Sequence, residues 1–163
     1  MQQNFIMIQR IQSAYLLVSV ILTFLFAFLS FASFEVNDNV YFMKVMGLYY
    51  QDTSEVLFEA PNMSLSAVVF FSILLSISAV FNFKKRSVQI QLVTLAIIAQ
   101  LASVGLVLFA ISTLPFGILE GTMPQVNYTF ASFLPIAAVV FLVLALRGIK
   151  KDEKLIKSLN RIR

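Results

Sequence analysis

The chain contains no cysteine and no histidine, and only 12% of its 163 residues are charged. Without cysteine there is no disulfide, no thiol nucleophile and no thiolate-held metal. Without histidine it lacks the commonest general base and the usual ligands of zinc and haem. Both absences point away from an enzyme, a metal site or a cofactor. The shortage of charge matters as much, because a soluble domain carries about a quarter charged residues. Apolar residues take their place. They make up 60% of the chain and are concentrated in long uninterrupted runs, which is the signature of membrane spans. No fixed repeat period and no low-complexity tract is visible.

The stretch from Ala60 to Leu119 sets the organisation. Its only charges are Lys84, Lys85 and Arg86, and an uncharged segment long enough to cross a bilayer lies on each side. That is a helical hairpin with a basic turn, and the turn is too short for anything but an antiparallel return. The net charge of +4 would suggest nucleic acid on a soluble surface. Here the basic residues stand at the ends of apolar runs, so the membrane accounts for them and no nucleic-acid partner is expected.

The amino-terminal segment carries Arg10 as its only charged side chain up to Ser13, and the run from Ile11 to Phe34 carries no charge. About 20 apolar residues span a bilayer, so a first helix is expected over about 12–34. Ser30-Phe31-Ala32 has the form of a signal cleavage site, but the run is longer than the roughly 7–15 residues of a signal h-region. Ser19, Thr23, Ala27 and Ser30 recur at helical spacing and are expected to face other helices, since small and hydroxyl residues permit close approach in lipid. Phe24, Phe28 and Phe31 are expected on another face.

The loop over 35–62 holds most of the acidic residues, Glu35, Asp38, Asp52, Glu55 and Glu59, against a single Lys44. It is also rich in aromatic and aliphatic residues. Gln51-Asp52-Thr53-Ser54 reads as a turn between two β-prone runs, so a β-hairpin-like cap packed on the rim of a bundle is expected. Glu55 and Glu59 share a side of a short helix or strand, but solvated loop carboxylates explain them better than a catalytic pair does.

A second helix is expected over about 63–83, capped by Asn62 or Ser64, with Ser72, Ser76 and Ala79 as its small stripe. The third uncharged run exceeds one span. Pro115 and Gly117 predict a stop near Ser112, giving a helix over about 88–112. Gln100 lies near its middle and shares a face with Ala96, Ser103 and Val107. A buried amide in lipid needs a partner and commonly bonds across helices. A contact to a quinone or lipid is the sharper alternative. The fourth helix is expected over about 128–146, with Pro135 early in it. Asn127-Tyr128-Thr129 fits the glycosylation pattern, which is common and here abuts the membrane.

The tail over 147–163 is strongly basic and begins with Arg147, Lys150 and Lys151. Ile149, Leu155, Ile156, Leu159 and Ile162 form an apolar stripe, so the tail is expected to be an amphipathic helix lying among anionic headgroups. Of the twelve Lys and Arg, all but Lys44 fall on one side of this arrangement. Such a bias predicts that both termini and the Lys84–Arg86 turn are cytoplasmic. No charge falls within any span, which argues against driven transport.

The stretches Met7-Ile8-Gln9-Arg10-Ile11-Gln12-Ser13-Ala14-Tyr15-Leu16-Leu17 and Arg147-Gly148-Ile149-Lys150-Lys151-Asp152-Glu153-Lys154-Leu155-Ile156-Lys157-Ser158, the latter followed by Asn160-Arg161-Ile162-Arg163, resemble the ends of a family of small four-helix inner-membrane proteins of the Bacteroidetes group, described only as a domain of unknown function. The Met1 to Ile6 leader departs from it. The resemblance implies a bacterial inner membrane and supplies no catalytic residue.

The expectation is therefore an all-α membrane protein, an antiparallel four-helix bundle with a small β-hairpin-like cap and an amphipathic carboxy-terminal helix. Its expected role is an accessory or scaffolding subunit with other integral membrane subunits and membrane lipids as partners. The alternative is a binder or carrier of a lipid, quinone or other apolar molecule.

Overall fold

A computed structural model of the chain describes residues 2–36, 39–50, 56–58, 63–83, 85–112 and 125–161. Four long helices, α1 (Gln2–Phe28), α2 (Met63–Phe81), α3 (Arg86–Ser112) and α4 (Leu134–Arg161), carry segments long and apolar enough to cross a membrane. Each helix packs on its neighbour in sequence, and α4 closes the ring against α1. Five short strands, β1 (Ala32–Val36), β2 (Asn39–Lys44), β3 (Gly47–Tyr50), β4 (Val56–Phe58) and β5 (Gln125–Tyr128), form one antiparallel sheet in the order β4-β3-β2-β1-β5. A 3-10 turn, Phe130–Phe133, joins β5 to α4.

The cap is larger than a hairpin and draws on both the α1–α2 and the α3–α4 connections. The first helix stops at Phe28, six residues short of the expected end, and the chain turns into β1. An uncharged run does not distinguish a lipid-embedded helix from a strand buried beneath a sheet. Alternation does: Ala32 and Phe34 are buried, whereas Ser33 and Glu35 are not, the period of two that a strand with one covered face requires. Phe31 is accordingly not on the outer face with Phe24 and Phe28. Those two are half exposed and their rings meet at a tilt with centroids 4.8 Å apart, while Phe31 is fully buried against Phe26. The Phe31 N–H donates to Met43 O, and its carbonyl accepts from Thr129 N–H and Ser132 Oγ. One residue's backbone thus ties together the first helix, the sheet and the entry to the last helix.

The first of the two β-prone runs is not a single strand. That run contains two strands, β2 and β3, folded at a two-residue turn, Val45-Met46, with Lys44 paired to Gly47. Val45 is buried at the tip, and its carbonyl accepts from Ser66 Oγ of α2 at 2.7 Å. The turn expected at Gln51–Ser54 lies outside the described residues, as do Glu55, Glu59, Asn62, Pro115 and Gly117. Phe26, Phe31, Phe34, Met43, Val45, Leu48, Leu65, Val69 and Leu134 form the core beneath the sheet. A second core, built on Leu16, Leu75, Val93, Leu142 and Ile149, fills the other end of the bundle.

At the carboxy-terminal end two further boundaries move. Helix α4 begins at Leu134, after β5 and the 3-10 turn, so Pro135 sits in the first turn. The missing N–H of a proline there breaks no internal bond, and no freed carbonyl needs a separate partner. The helix then runs unbroken to Arg161. The tail is a continuation of the fourth span and not a second helix lying flat.

Candidate functional site

Two buried polar clusters interrupt the apolar interior. The first lies midway along the bundle. Gln100 projects from α3 and is fully buried. Its Oε1 accepts from Ser72 Oγ of α2 at 2.8 Å and lies 3.5 Å from Thr23 Oγ1 of α1. Three helices therefore meet at one amide. Thr23 Oγ1 also donates to Ser19 O at 2.8 Å, Ser19 Oγ donates to Leu16 O at 2.7 Å, and Ser103 Oγ donates to Gln100 O at 2.7 Å. These hydroxyls satisfy themselves on their own helix backbones, as serine and threonine commonly do in apolar surroundings. The buried amide nitrogen of Gln100 has no hydrogen-bond partner among the described residues. Ser76 and Ala27 are buried on the same helices, α2 and α1, without joining the amide cluster.

The second cluster sits where α3 begins. Asp152, one of the few acidic residues of the tail, is buried. Its Oδ2 accepts from Gln12 Nε2 at 2.7 Å and lies 3.3 Å from Arg86 Nη1. The arginine contact is a charge contact, since the buried Nη1 makes no aligned hydrogen bond. Gly148, one turn before Asp152, makes room for Gln12. A Cβ at that position would stand 2.8 Å from Gln12 Cγ, closer than side chains tolerate. Next to this clasp, Gln89 Nε2 donates to Ala79 O at 3.1 Å and bonds the ends of α2 and α3 across their turn.

The residues assigned to headgroups thus divide. Lys85, Arg147, Lys150 and Lys151 are exposed, whereas Arg86 is four-fifths covered and paired with Asp152. Lys84 and the side chain of Arg10 lie outside the described residues. Gln12 and Asp152 escaped the sequence reading. The available signal was an acid on the apolar stripe: Asp152 stands three residues after Ile149 and four before Ile156, on the face expected to be wholly apolar.

A cavity of about 260 Å³ opens between α3 and the start of α4. Val104, Val107, Leu108, Tyr128, Phe133 and Ile136 are among the residues that line it, and Gln100 is not. Among the described residues, no three acidic side chains converge on a point that could hold a metal ion. The arrangement bonds helices to one another, and the described residues bring no nucleophile and base together.

Fold and interior together define a multi-pass membrane protein of four apolar helices with a small antiparallel sheet. The chain belongs to the family described as Domain of unknown function (DUF4293), whose model matches residues 8–162. No curated protein matches the sequence.

Proposed function

We propose that this protein is an accessory or scaffolding subunit of a larger assembly in a bacterial inner membrane, with no chemistry of its own. The observation that carries this reading is an aromatic ledge beside an open sheet edge. Tyr128 ends β5, which among the described residues pairs with β1 on one side only, and Tyr128, Phe130 and Phe133 are 58%, 76% and 60% exposed. Aromatic residues are enriched in protein contacts and at membrane interfaces, and an uncovered strand edge is a ready template for another chain. The distribution of Lys and Arg orients the assembly, with both termini and the α2–α3 turn cytoplasmic and the sheet outside. Purification of a chromosomally tagged protein in mild detergent tests the reading. Recovery of one defined complex in fixed stoichiometry supports it, and recovery of the protein alone at native expression removes it.

The cavity between α3 and α4 favours a second reading, a small binder of lipid or another apolar molecule. Its lining is apolar, and Leu108, Phe133 and Ile136 are at least half exposed on its rim. Solvent extraction of the purified protein followed by mass spectrometry tests this. A single enriched lipid or quinone supports it, and bulk membrane lipid composition does not.

A further inference from the structure

The unbroken course of α4 changes what its basic residues can reach. Asp152 contacts Arg86, the first residue of α3, beside the basic turn that marks the edge of the apolar slab. Arg161 lies nine residues further along the same helix, about 14 Å beyond that level at a rise of 1.5 Å per residue. Helix α1 also runs past the clasp, from Gln12 back to Gln2. Two of the four helices therefore project beyond the α2–α3 turn, joined at the base of the projection by the Gln12–Asp152 bond.

The cations of α4 follow one line. Arg147, Lys150, Lys151, Lys154, Lys157 and Arg161 are spaced three and four apart, which places them on a single helix face together with Ser158. Arg147, Lys150, Lys151, Lys154 and Ser158 are exposed. Ile149 and Asp152 are buried against the bundle, so this face points away from it. A stripe running along the projecting axis cannot lie on a planar lipid surface. Arg147, Lys150 and Lys151 stand on the membrane side of Asp152 and serve the headgroups. Lys154, Lys157 and Arg161 follow it about 3, 7.5 and 14 Å further along the axis, so the stripe leads progressively away from the headgroups and only its end exceeds the screening length of about 8 Å in physiological salt.

We infer that the membrane-distal half of this stripe, Lys154, Lys157 and Arg161, docks an acidic segment of a protein partner. This rests on the accessory-subunit reading and names the contact. Charge complementarity selects an acidic occupant, and the narrow, single-file spacing suits a helix with carboxylates three and four residues apart. Single-stranded nucleic acid fits less well, because residues 147–163 contain no aromatic side chain on which a base could stack.

The test is a photo-cross-linking residue at Ser158 of the full chain in growing cells. The expected result is a protein adduct whose cross-linked peptide is rich in Asp and Glu. Its yield should fall about tenfold or more in K154E/K157E/R161E, less in the corresponding glutamine triple variant, and recover when the acids of that peptide are changed to lysine. Unchanged thermal unfolding of the triple variants shows that they fold. Adducts with lipid or RNA alone, no adduct, or a protein adduct insensitive to charge reversal would overturn the inference. Purification of tagged K154E/K157E/R161E separates the two ideas. A complex of unchanged composition sinks the stripe and leaves the accessory role standing, whereas a solitary wild-type protein sinks both.

Discussion

Gln12 of the first helix donates to Asp152 of the last at 2.7 Å, across 140 residues of sequence. Arg86 completes the clasp from α3. The three residues lie at the base of the projecting helices, so the clasp decides whether the tail stands or falls away.

Removing one partner should be costly. Breaking a buried ion pair leaves an uncompensated charge at about 3–5 kcal/mol. Arg86 retains some solvent contact, so D152A is expected to lose about 2 kcal/mol. R86M/D152L should recover most of that loss, because apolar replacement of both partners removes the unpaired charge. Thermal unfolding of the purified variants in one detergent checks both, and a double variant as unstable as D152A would contradict the assignment.

Gly148 and Gly105 make a matched pair on α4 and α3. A Cβ at Gly148 meets three atoms of the bonded Gln12 side chain within 3.3 Å, and one at Gly105 meets nothing within 4 Å. G148A should destabilise by about 1–3 kcal/mol, relieved in part by Q12A. G105A should be neutral or slightly stabilising, since alanine is the better helix former. The same unfolding assay separates them.

At Gln100 the expected effects are small. Interhelical hydrogen bonds in membrane proteins average about 0.6 kcal/mol. S72A should cost about that much in the wild-type background and almost nothing in Q100L, giving a coupling energy near the single effect. A double-mutant cycle measures it directly. Full additivity would mean that the 2.8 Å contact contributes nothing.

The absence of cysteine makes the sheet and the orientation testable together. Ser33 and Asn127 are register partners in the β1–β5 pair, so S33C/N127C should form a disulfide under oxidation, seen as a mobility shift without reductant. Under the proposed orientation, N127C alone should react with a membrane-impermeant maleimide in spheroplasts, and K151C only after lysis. The reverse pattern would invert the topology.

Much of the helical framework was legible because the spans are long, uncharged and separated by charge. The α2–α3 hairpin follows from three consecutive basic residues. The β1–β5 pairing was not legible. Its partners, such as Phe34 and Val126, are far apart in sequence, and no local pattern records which strand meets which. Phe31 and Phe34 were misplaced because hydrophobicity marks burial without saying whether lipid or protein covers the residue. Asp152 was hidden in a run of lysines, where an acid reads as a surface neighbour until its helix face is known.

The closure of α4 on α1 has a consequence for synthesis. β5 and α4 are made last, yet they complete the edge of β1 and satisfy Gln12, which are made first. Until β5 has been made, β1 lacks a partner along one edge, and until Asp152 has been made, Gln12 lacks its acceptor at the other end of the bundle. Contacts of such long sequence separation form slowly. A chain that stops before β5 is therefore unfinished at both ends of the bundle, and one that stops between β5 and Asp152 at one end alone.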